Sequence, residues 1–327
     1  MIIPIIYPSA GEFWLNSDPY SLLGYSFNNR KLTNLPSSFP FRVNSKAAFE
    51  VAELLDLSRP LYVAAPHQNY KRYGSNCVIH SYPRPFPQKS FVRLQRGRYD
   101  MYIASPELCF LLAARTLDLI DLVKFGYDLC AMYYETPQGK FRQMQRTSFT
   151  FSSLLKEYVI YNHNLHGSVK SLKALKYVRD YSNSPMETKL AMFSLLPSGC
   201  GLSHLEMNKT IDLTEEGKRL VGYSQIRCDL AFSNKVAVEY NSNAHHLDAA
   251  RYTDDMNRQT ALKLAGYKYI AITAGHVSNY HSFINVMNAL MAELGLPLLD
   301  EKDPDRTNLY FRLFGKSAAV APQRPYI

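Results

Sequence analysis

The chain has 327 residues, 46% of them apolar and 13% aromatic, which is enough to bury the cores of two domains. Its longest apolar runs, such as Leu108 to Ala114, are far shorter than the roughly 20 residues that cross a bilayer, and Met1 to Tyr7 lacks the basic start of a signal peptide. Five cysteines without a CxxC pair argue against a disulfide framework or a zinc ribbon, so we expect a soluble, cytoplasmic protein without a membrane partner.

The net charge of +9 lies in the first part of the chain. Residues 1–183 hold 22 Lys and Arg against 13 Asp and Glu, whereas residues 184–327 hold 15 of each. A basic half beside a neutral half indicates a surface that faces a polyanion such as DNA, although proteins that bind no nucleic acid can carry a similar excess.

In chain order, residues 1–44 are rich in Pro, Ser, Asn and aromatics and predict an irregular lead-in. Residues 45–183 alternate helical and strand-like segments and predict a basic α+β domain, in which Ser105-Pro106 begins a helix with serine as the cap. A second Ser-Pro start at Ser184-Pro185 coincides with the change in charge, so residues 184–317 are expected to form a second domain. Residues 318–327 predict an extended tail.

One basic cluster in the first domain alternates with aromatic residues, a mixture that suits phosphates and stacked bases. The alternative is that its cations lie on solvated strand faces while its aromatics fill the core. The cluster consists of Arg84, Phe86, Lys89, Phe91, Arg93, Arg96, Arg98 and Tyr99.

The segment IRCDLAFSNKVAVEYN predicts two strands joined by a three-residue loop, Ser233-Asn234-Lys235. The apolar positions of both strands share a face only if the numbers of paired residues have an even sum, and a three-residue loop puts Phe232 opposite Val236. That register sets Asp229 opposite Glu239. Facing residues have Cβ atoms roughly 4.5 to 5.5 Å apart, where like charges repel. A divalent cation would compensate, because Mg²⁺ prefers hard oxygen ligands; Arg227 or solvent could instead neutralise the pair.

Two helices flank this hairpin. Upstream, Glu187 is the third residue of the helix that Ser184 caps, so it could complete a capping box as well as hold a metal. Downstream, Thr253 is expected to cap a helix that ends at Gly266 and precedes the strand YKYIAIT.

The ordered set SPMETKL, RCDLAF, VAVEYNSNAHH and RYTDDMNRQTALKLAGYKYIAIT resembles the very-short-patch-repair-endonuclease-like branch of the PD-(D/E)XK nuclease superfamily. The resemblance covers residues 184–273. It implies a fold that mixes helices and strands, of the α/β (α+β) class. A C-terminal restriction-endonuclease-like mixed sheet would be flanked by helices and preceded by a smaller α+β domain.

Carried over by position, the resemblance makes Glu187, Asp229 and Glu239 the ligands of Mg²⁺ or Mn²⁺. His245 stands where the family places its histidine and would transfer a proton, while Asp255 and Arg258 match a helix pair that could equally form a structural salt bridge.

Two positions depart from the family pattern. Asn241 replaces the second strand acid and Ser242 replaces a glycine. Asparagine can orient water or phosphate but carries no charge and is no base. The expected function is therefore a metal-dependent DNA endonuclease; the alternative is a catalytically inactive nuclease-fold protein that binds DNA or acts as an antitoxin-like regulator. A third option, a serine hydrolase using PSGCG at residues 197–201, lacks the required strand-to-helix context.

The first domain resembles the abortive-infection type IV antitoxin family through SKAAFEVAELLDLSRPLYVAAP and YIASPELCFLLAA. Proteins of that family often begin with a winged-helix domain, a pattern that residues 1–44 do not show. The resemblance implies phage defence or a toxin-antitoxin-like system. Besides DNA, the partners considered are a second copy of the chain in a homodimer and an unidentified toxin or defence-system protein.

Overall fold

The computed structural model describes residues 1–16, 19–24, 30–82, 84–135, 141–142, 148–241 and 249–315. The chain divides into two compact units, Met1–Val178 and Arg179–Ile327. The division lies five residues before the boundary expected at residue 184, and each unit contains its own sheet. The protein is therefore a mixed α/β chain.

The first unit is built around a mixed sheet. Its strands are β1 (Ile2–Ile5), β2 (Leu32–Thr33), β3 (Leu61–Ala65), β4 (Arg72–Tyr73), β5 (Cys77–Ser81), β6 (Phe91–Arg96), β7 (Tyr99–Ala104), β8 (Tyr134–Glu135) and β9 (Phe141–Arg142). Its helices are α1 (Ser9–Asn16), α2 (Pro19–Leu23), α3 (Ser45–Leu54), α4 (Pro106–Ala113), α5 (Leu119–Cys130), α6 (Ser152–Tyr161) and α7 (Ser168–Leu175).

Seven of these strands form one sheet in the order β2-β6-β7-β1-β3-β5-β4, and β8 and β9 form a separate pair. Strand β1 lies inside the large sheet, parallel to β7 and antiparallel to β3. The prediction of an irregular lead-in over residues 1–44 is therefore wrong. The strand Ile2–Ile5 is stabilised by pairing with residues about a hundred positions away, such as Ile5 with Ile103, and no local pattern reveals such pairing.

The Ser105-Pro106 helix start is confirmed in α4. The Ser105 hydroxyl accepts the Leu108 N–H at 3.3 Å, and Pro106 occupies the first turn, where its missing N–H costs nothing. Every residue of α4 is buried, which explains why the helix lacks a polar face.

The second unit alternates helices with the strands of a smaller sheet. Its elements are α8 (Pro185–Leu195), β10 (Leu205–Asp212), α9 (Glu215–Val221), β11 (Gln225–Phe232), β12 (Val236–Asn241), α10 (Ala249–Leu264), β13 (Lys268–Thr273), α11 (Ala274–Ser278), α12 (Tyr280–Glu293) and α13 (Pro304–Phe314).

The sheet of the second unit has the order β10-β11-β12-β13. β10, β11 and β12 pair antiparallel, whereas β13 returns through α10 to lie parallel to β12, so the sheet is mixed. Helix α10 begins at Ala249, four residues before the expected cap at Thr253, and the chain leaves it at Gly266 in the left-handed conformation, as predicted (φ 82°).

A buried cluster fixes α10 against this sheet. It joins Ala261 and Leu262 of α10 to Ile211, Ile226 and Cys228 of β10 and β11. A fully buried leucine or isoleucine contributes about 1.5 to 3 kcal/mol to folding, so these contacts hold the polar residues of the same helix in a defined position over the strands. Across the part of the chain that the structure describes, no helix is long and apolar enough to cross a membrane.

Candidate functional site

The β11–β12 hairpin places Asp229 and Glu239 on neighbouring strands. Phe232 pairs with Val236, as the loop length predicted, and the ladder continues through Leu230 and Val238. At the next step, Oδ2 of Asp229 accepts the backbone N–H of Tyr240 at 2.9 Å. The carboxylate thus takes a hydrogen bond from the strand that carries Glu239.

Besides burial, two other carboxylates, those of Glu187 and Glu239, act on Asp229 and raise its pKa. Burial is the largest cause that raises the pKa of Asp229, to about 7, and the negative charge of Glu187 is the next. The N–H of Tyr240 lowers this pKa, Glu239 raises it further, and Arg258 lowers it. Burial and the two neighbouring carboxylates therefore disfavour the ionised form of Asp229, and the Tyr240 N–H and Arg258 offset this only in part.

Glu187 reaches this pocket from the first turn of α8. The Ser184 hydroxyl accepts the Glu187 N–H at 3.2 Å, which confirms the predicted cap. The Glu187 carboxylate hydrogen-bonds the Ser184 side chain, and its Oε2 accepts the N–H of Asn183, the residue before the cap, at 2.9 Å. Glu187 is only 6% exposed, and burial raises its pKa against the opposing effect of its hydrogen bonds.

Asn208 holds Glu187 in place, and the sequence analysis did not single it out. The β10–β11 ladder passes from Met207 to Lys209, which puts Asn208 opposite Asp229. Its φ of 50° is left-handed, a conformation that asparagine tolerates better than most residues. The amide Nδ2 donates to Glu187 Oε2 and to the Tyr181 carbonyl, at 2.7 Å each.

Glu239 is compensated by Arg258. Oε1 of Glu239 accepts a hydrogen bond of 2.7 Å from Arg258 Nη2, and the Tyr269 hydroxyl lies 3.4 Å from Oε2. The same Arg258 nitrogen lies 3.3 Å from the Arg227 carbonyl. Arg258 therefore joins α10 to two strands of the sheet, a role that the expected Asp255–Arg258 pairing did not describe.

Asn241 ends β12, where it pairs with Thr273 of β13. Its side chain is half-buried and hydrogen-bonds the Tyr269 hydroxyl. Asn241 thus continues the polar row that begins at Glu239. His245, with Ser242 and His246, lies outside the described residues.

We asked whether these side chains suit a divalent cation. Over the described residues, no set of three or more His, Cys, Asp or Glu is arranged to hold a metal ion. Two carboxylates nevertheless repel each other, Asp229 and Glu187, and the guanidinium that neutralises Glu239 does not bond to either. Mg²⁺ can be held by one or two carboxylates with water in its other positions, so Asp229 and Glu187 are the side chains that would hold such an ion.

A basic cavity of about 360 Å³ opens on the same strands. Its wall includes Ala231, two residues along β11 from Asp229 and therefore about 7 Å away on the same face. The charged and aromatic side chains that line the cavity are Arg179, His204, Glu206, Lys209, Lys235 and Tyr267. Glu206 pairs with Lys209 at 2.7 Å, the Arg179 guanidinium donates to the Leu205 and Ser203 carbonyls, and Lys235 adds a further cation to the wall. The cavity therefore suits an anion.

Comparisons with known proteins found no match to this chain among family models, curated proteins or solved structures.

Proposed function

We propose that the chain is a metal-dependent endonuclease that hydrolyses phosphodiester bonds in DNA, with a C-terminal unit of the PD-(D/E)XK type. The observation that carries the proposal is the burial of Asp229 near Glu187 and Glu239: burial first, and then the charges of these two carboxylates, raise its pKa to about 7. Such crowding costs folding free energy unless the site gains by binding a cation. The order of elements, α8 followed by the β10–β12 strands, α10 and β13, supports the same family.

In this mechanism Asp229 and Glu187 would hold the ion, and Asn208 fixes the Glu187 carboxylate through its hydrogen bond to Oε2. Bound Mg²⁺ would supply a water of lowered pKa and neutralise charge on the phosphate. Arg179 and Lys235, in the basic cavity, bind a phosphate of the same strand and orient it. Asn241 donates a hydrogen bond to water or phosphate, and proton transfer is assigned to His245.

The test is nicking of supercoiled plasmid with Mg²⁺ or Mn²⁺. We expect Asp229→Ala and Glu187→Ala to lower the rate on the order of hundredfold or more, a loss typical of removing a group that stabilises transition-state charge. Asp212→Asn is the matched control, because Asp212 is an exposed acid on β10 that bonds only Gln225 among the described residues. Absence of metal-dependent nicking, or nicking that survives both substitutions, contradicts the proposal.

The second candidate is a nuclease-fold protein without catalysis that binds DNA or serves as an antitoxin-like regulator. The Arg258–Glu239 ion pair favours it, because the guanidinium occupies the place of a cation at one carboxylate. Asn241→Asp separates the two candidates. If the wild type binds plasmid without nicking it and Asn241→Asp restores metal-dependent nicking, the chain is a nuclease fold that has lost one acid.

A further inference from the structure

The sheet of the first unit carries an aromatic row on three adjacent strands. The row consists of Tyr62 on β3, His80 on β5 and Tyr73 on β4, in the order in which these strands pair. The rings of Tyr62 and His80 are stacked with centroids 6.0 Å apart, and Tyr73 meets His80 edge-on at 6.2 Å. Tyr73 is 56% exposed at the sheet edge, and the other two rings are half-buried.

Cations border this row. The Lys71 ammonium lies 5.5 Å from the centre of the Tyr73 ring, and the Arg115 guanidinium lies 5.6 Å from that of Tyr82, which directly follows β5. Burial lowers the pKa of His80, and the positive charges of Arg115 and Lys71 lower it further. The ring of His80 is therefore neutral at pH 7, and the charges that act on it are both positive.

The basic cluster of residues 84–99 does not offer such a surface. Phe91 and Tyr99 are buried, and Arg93 and Arg98 are paired with Asp100 and Glu50 at 2.6 Å each. These four residues match the alternative interpretation of the sequence, in which aromatic side chains fill the core and cations lie on strand faces.

Single-stranded nucleic acid consists of unpaired bases and of phosphates, and a row of aromatic rings bordered by cations can bind both. Unpaired bases expose flat faces that stack on aromatic rings, and the phosphates between them attract Lys and Arg. A duplex hides those faces inside its base stack, and an apolar protein partner would gain nothing from Lys71 and Arg115. We propose that the aromatic row, with Lys71 and Arg115 at its border, binds a single-stranded segment of nucleic acid.

This proposal does not depend on hydrolysis, so it is tested on the full chain in EDTA. Fluorescence anisotropy would follow a labelled oligodeoxythymidylate, an oligouridylate and a duplex of the same length. We expect both single strands to bind more tightly than the duplex, and the comparison of the two decides between DNA and RNA. Tyr73→Ala should weaken single-strand binding roughly tenfold, whereas Tyr73→Phe, which keeps the ring, should bind as the wild type does.

The matched control is Tyr161→Ala, because Tyr161 is 84% exposed on α6, away from the row, and its loss should leave binding unchanged. Lys71→Gln should reduce the slope of log affinity against log salt by about 1, whereas Lys156→Gln on α6 should not. The proposal is overturned if no single strand binds, if the duplex binds more tightly, or if Tyr73→Phe loses as much affinity as Tyr73→Ala.

Discussion

The guanidinium of Arg258 on α10 donates a 2.7 Å hydrogen bond to Oε1 of Glu239 on β12. Glu239 is only 9% exposed, so Arg258→Ala would leave a nearly buried carboxylate without its cation. We expect the free energy of unfolding to fall by about 1 to 3 kcal/mol. Urea denaturation measures this loss, and Arg219→Ala on α9 is the control, which should stay within about 0.5 kcal/mol of the wild type.

A double-mutant cycle identifies the cause of that loss. If the Glu239 charge is responsible, Arg258→Ala should cost much less in a Glu239→Gln background, because no carboxylate is then left uncompensated. Mn²⁺ should stabilise Arg258→Ala more than the double variant, because the double variant keeps Asp229 and Glu187 but has no uncompensated Glu239 carboxylate. Equal losses in both backgrounds would mean that Arg258 acts through its contact with the Arg227 carbonyl instead.

The raised pKa of Asp229 predicts how stability depends on pH. Folding raises this pKa from 3.8 to about 7, so the folded chain binds more protons than the unfolded chain between those values. The contribution of Asp229 is therefore most favourable to folding below pH 3.8 and declines as pH rises towards 7, by at most about 1.4 kcal/mol per pH unit.

Asp229→Asn cannot ionise, so it should be more stable than the wild type at pH 8 and about equally stable near pH 4. Thermal unfolding at several pH values measures the difference. Mg²⁺ at pH 8 should raise the unfolding temperature of the wild type and leave that of Asp229→Asn unchanged. A difference that does not vary with pH would show that Asp229 keeps an ordinary pKa.

Local sequence patterns anticipated the hairpin that carries the site. The alternation of apolar residues around Ser233-Asn234-Lys235 allows one register, and Phe232 does pair with Val236. Ser184 likewise caps α8 as its Ser-Pro pattern predicted. In both cases the deciding interactions join residues that are close together in the chain.

Local patterns did not predict the interactions between residues that are far apart in the sequence. Strand β1 is defined by its pairing with β7, and the run Ile2–Ile5, interrupted by Pro4, gives no local sign of it. The left-handed conformation of Asn208 arises where two strands and α8 meet, and asparagine inside a strand was the only signal. The partner of Arg258 could not be read from helical spacing because it lies on β12.

In the first unit, the buried pair of Arg30 and Glu107 predicts a large loss of stability. The two side chains are 9% and 5% exposed and meet at 2.8 Å, and the Thr150 hydroxyl also donates to Glu107 at 2.6 Å. Glu107→Ala would remove a buried carboxylate from Arg30, which keeps its 3.1 Å bond to the Phe149 carbonyl, so we expect a loss of about 3 kcal/mol. Glu293→Ala, in the second unit, breaks the exposed pair with Lys268 and should cost less than about 1 kcal/mol. Similar losses in urea denaturation would contradict this ranking.

Asn208 offers a test of how Glu187 is positioned. Its amide donates to Glu187 Oε2 at 2.7 Å, and such a donor lowers the pKa of the carboxylate that accepts it. Asn208→Gly removes the amide and still permits the left-handed φ of 50°, whereas Asn208→Ala removes the amide and adds about 1 kcal/mol of backbone strain.

Both variants should raise the pKa of Glu187 further, so that the rising limb of metal-dependent nicking moves to higher pH than in the wild type. They should share this change in the pH profile and differ from each other only in stability. NMR titration of the Glu187 carboxyl group tests the same effect without catalysis. If Asn208→Gly titrates as the wild type does, Asn208 supports the strand rather than the carboxylate, and the Asn183 N–H and the Ser184 side chain hold Glu187.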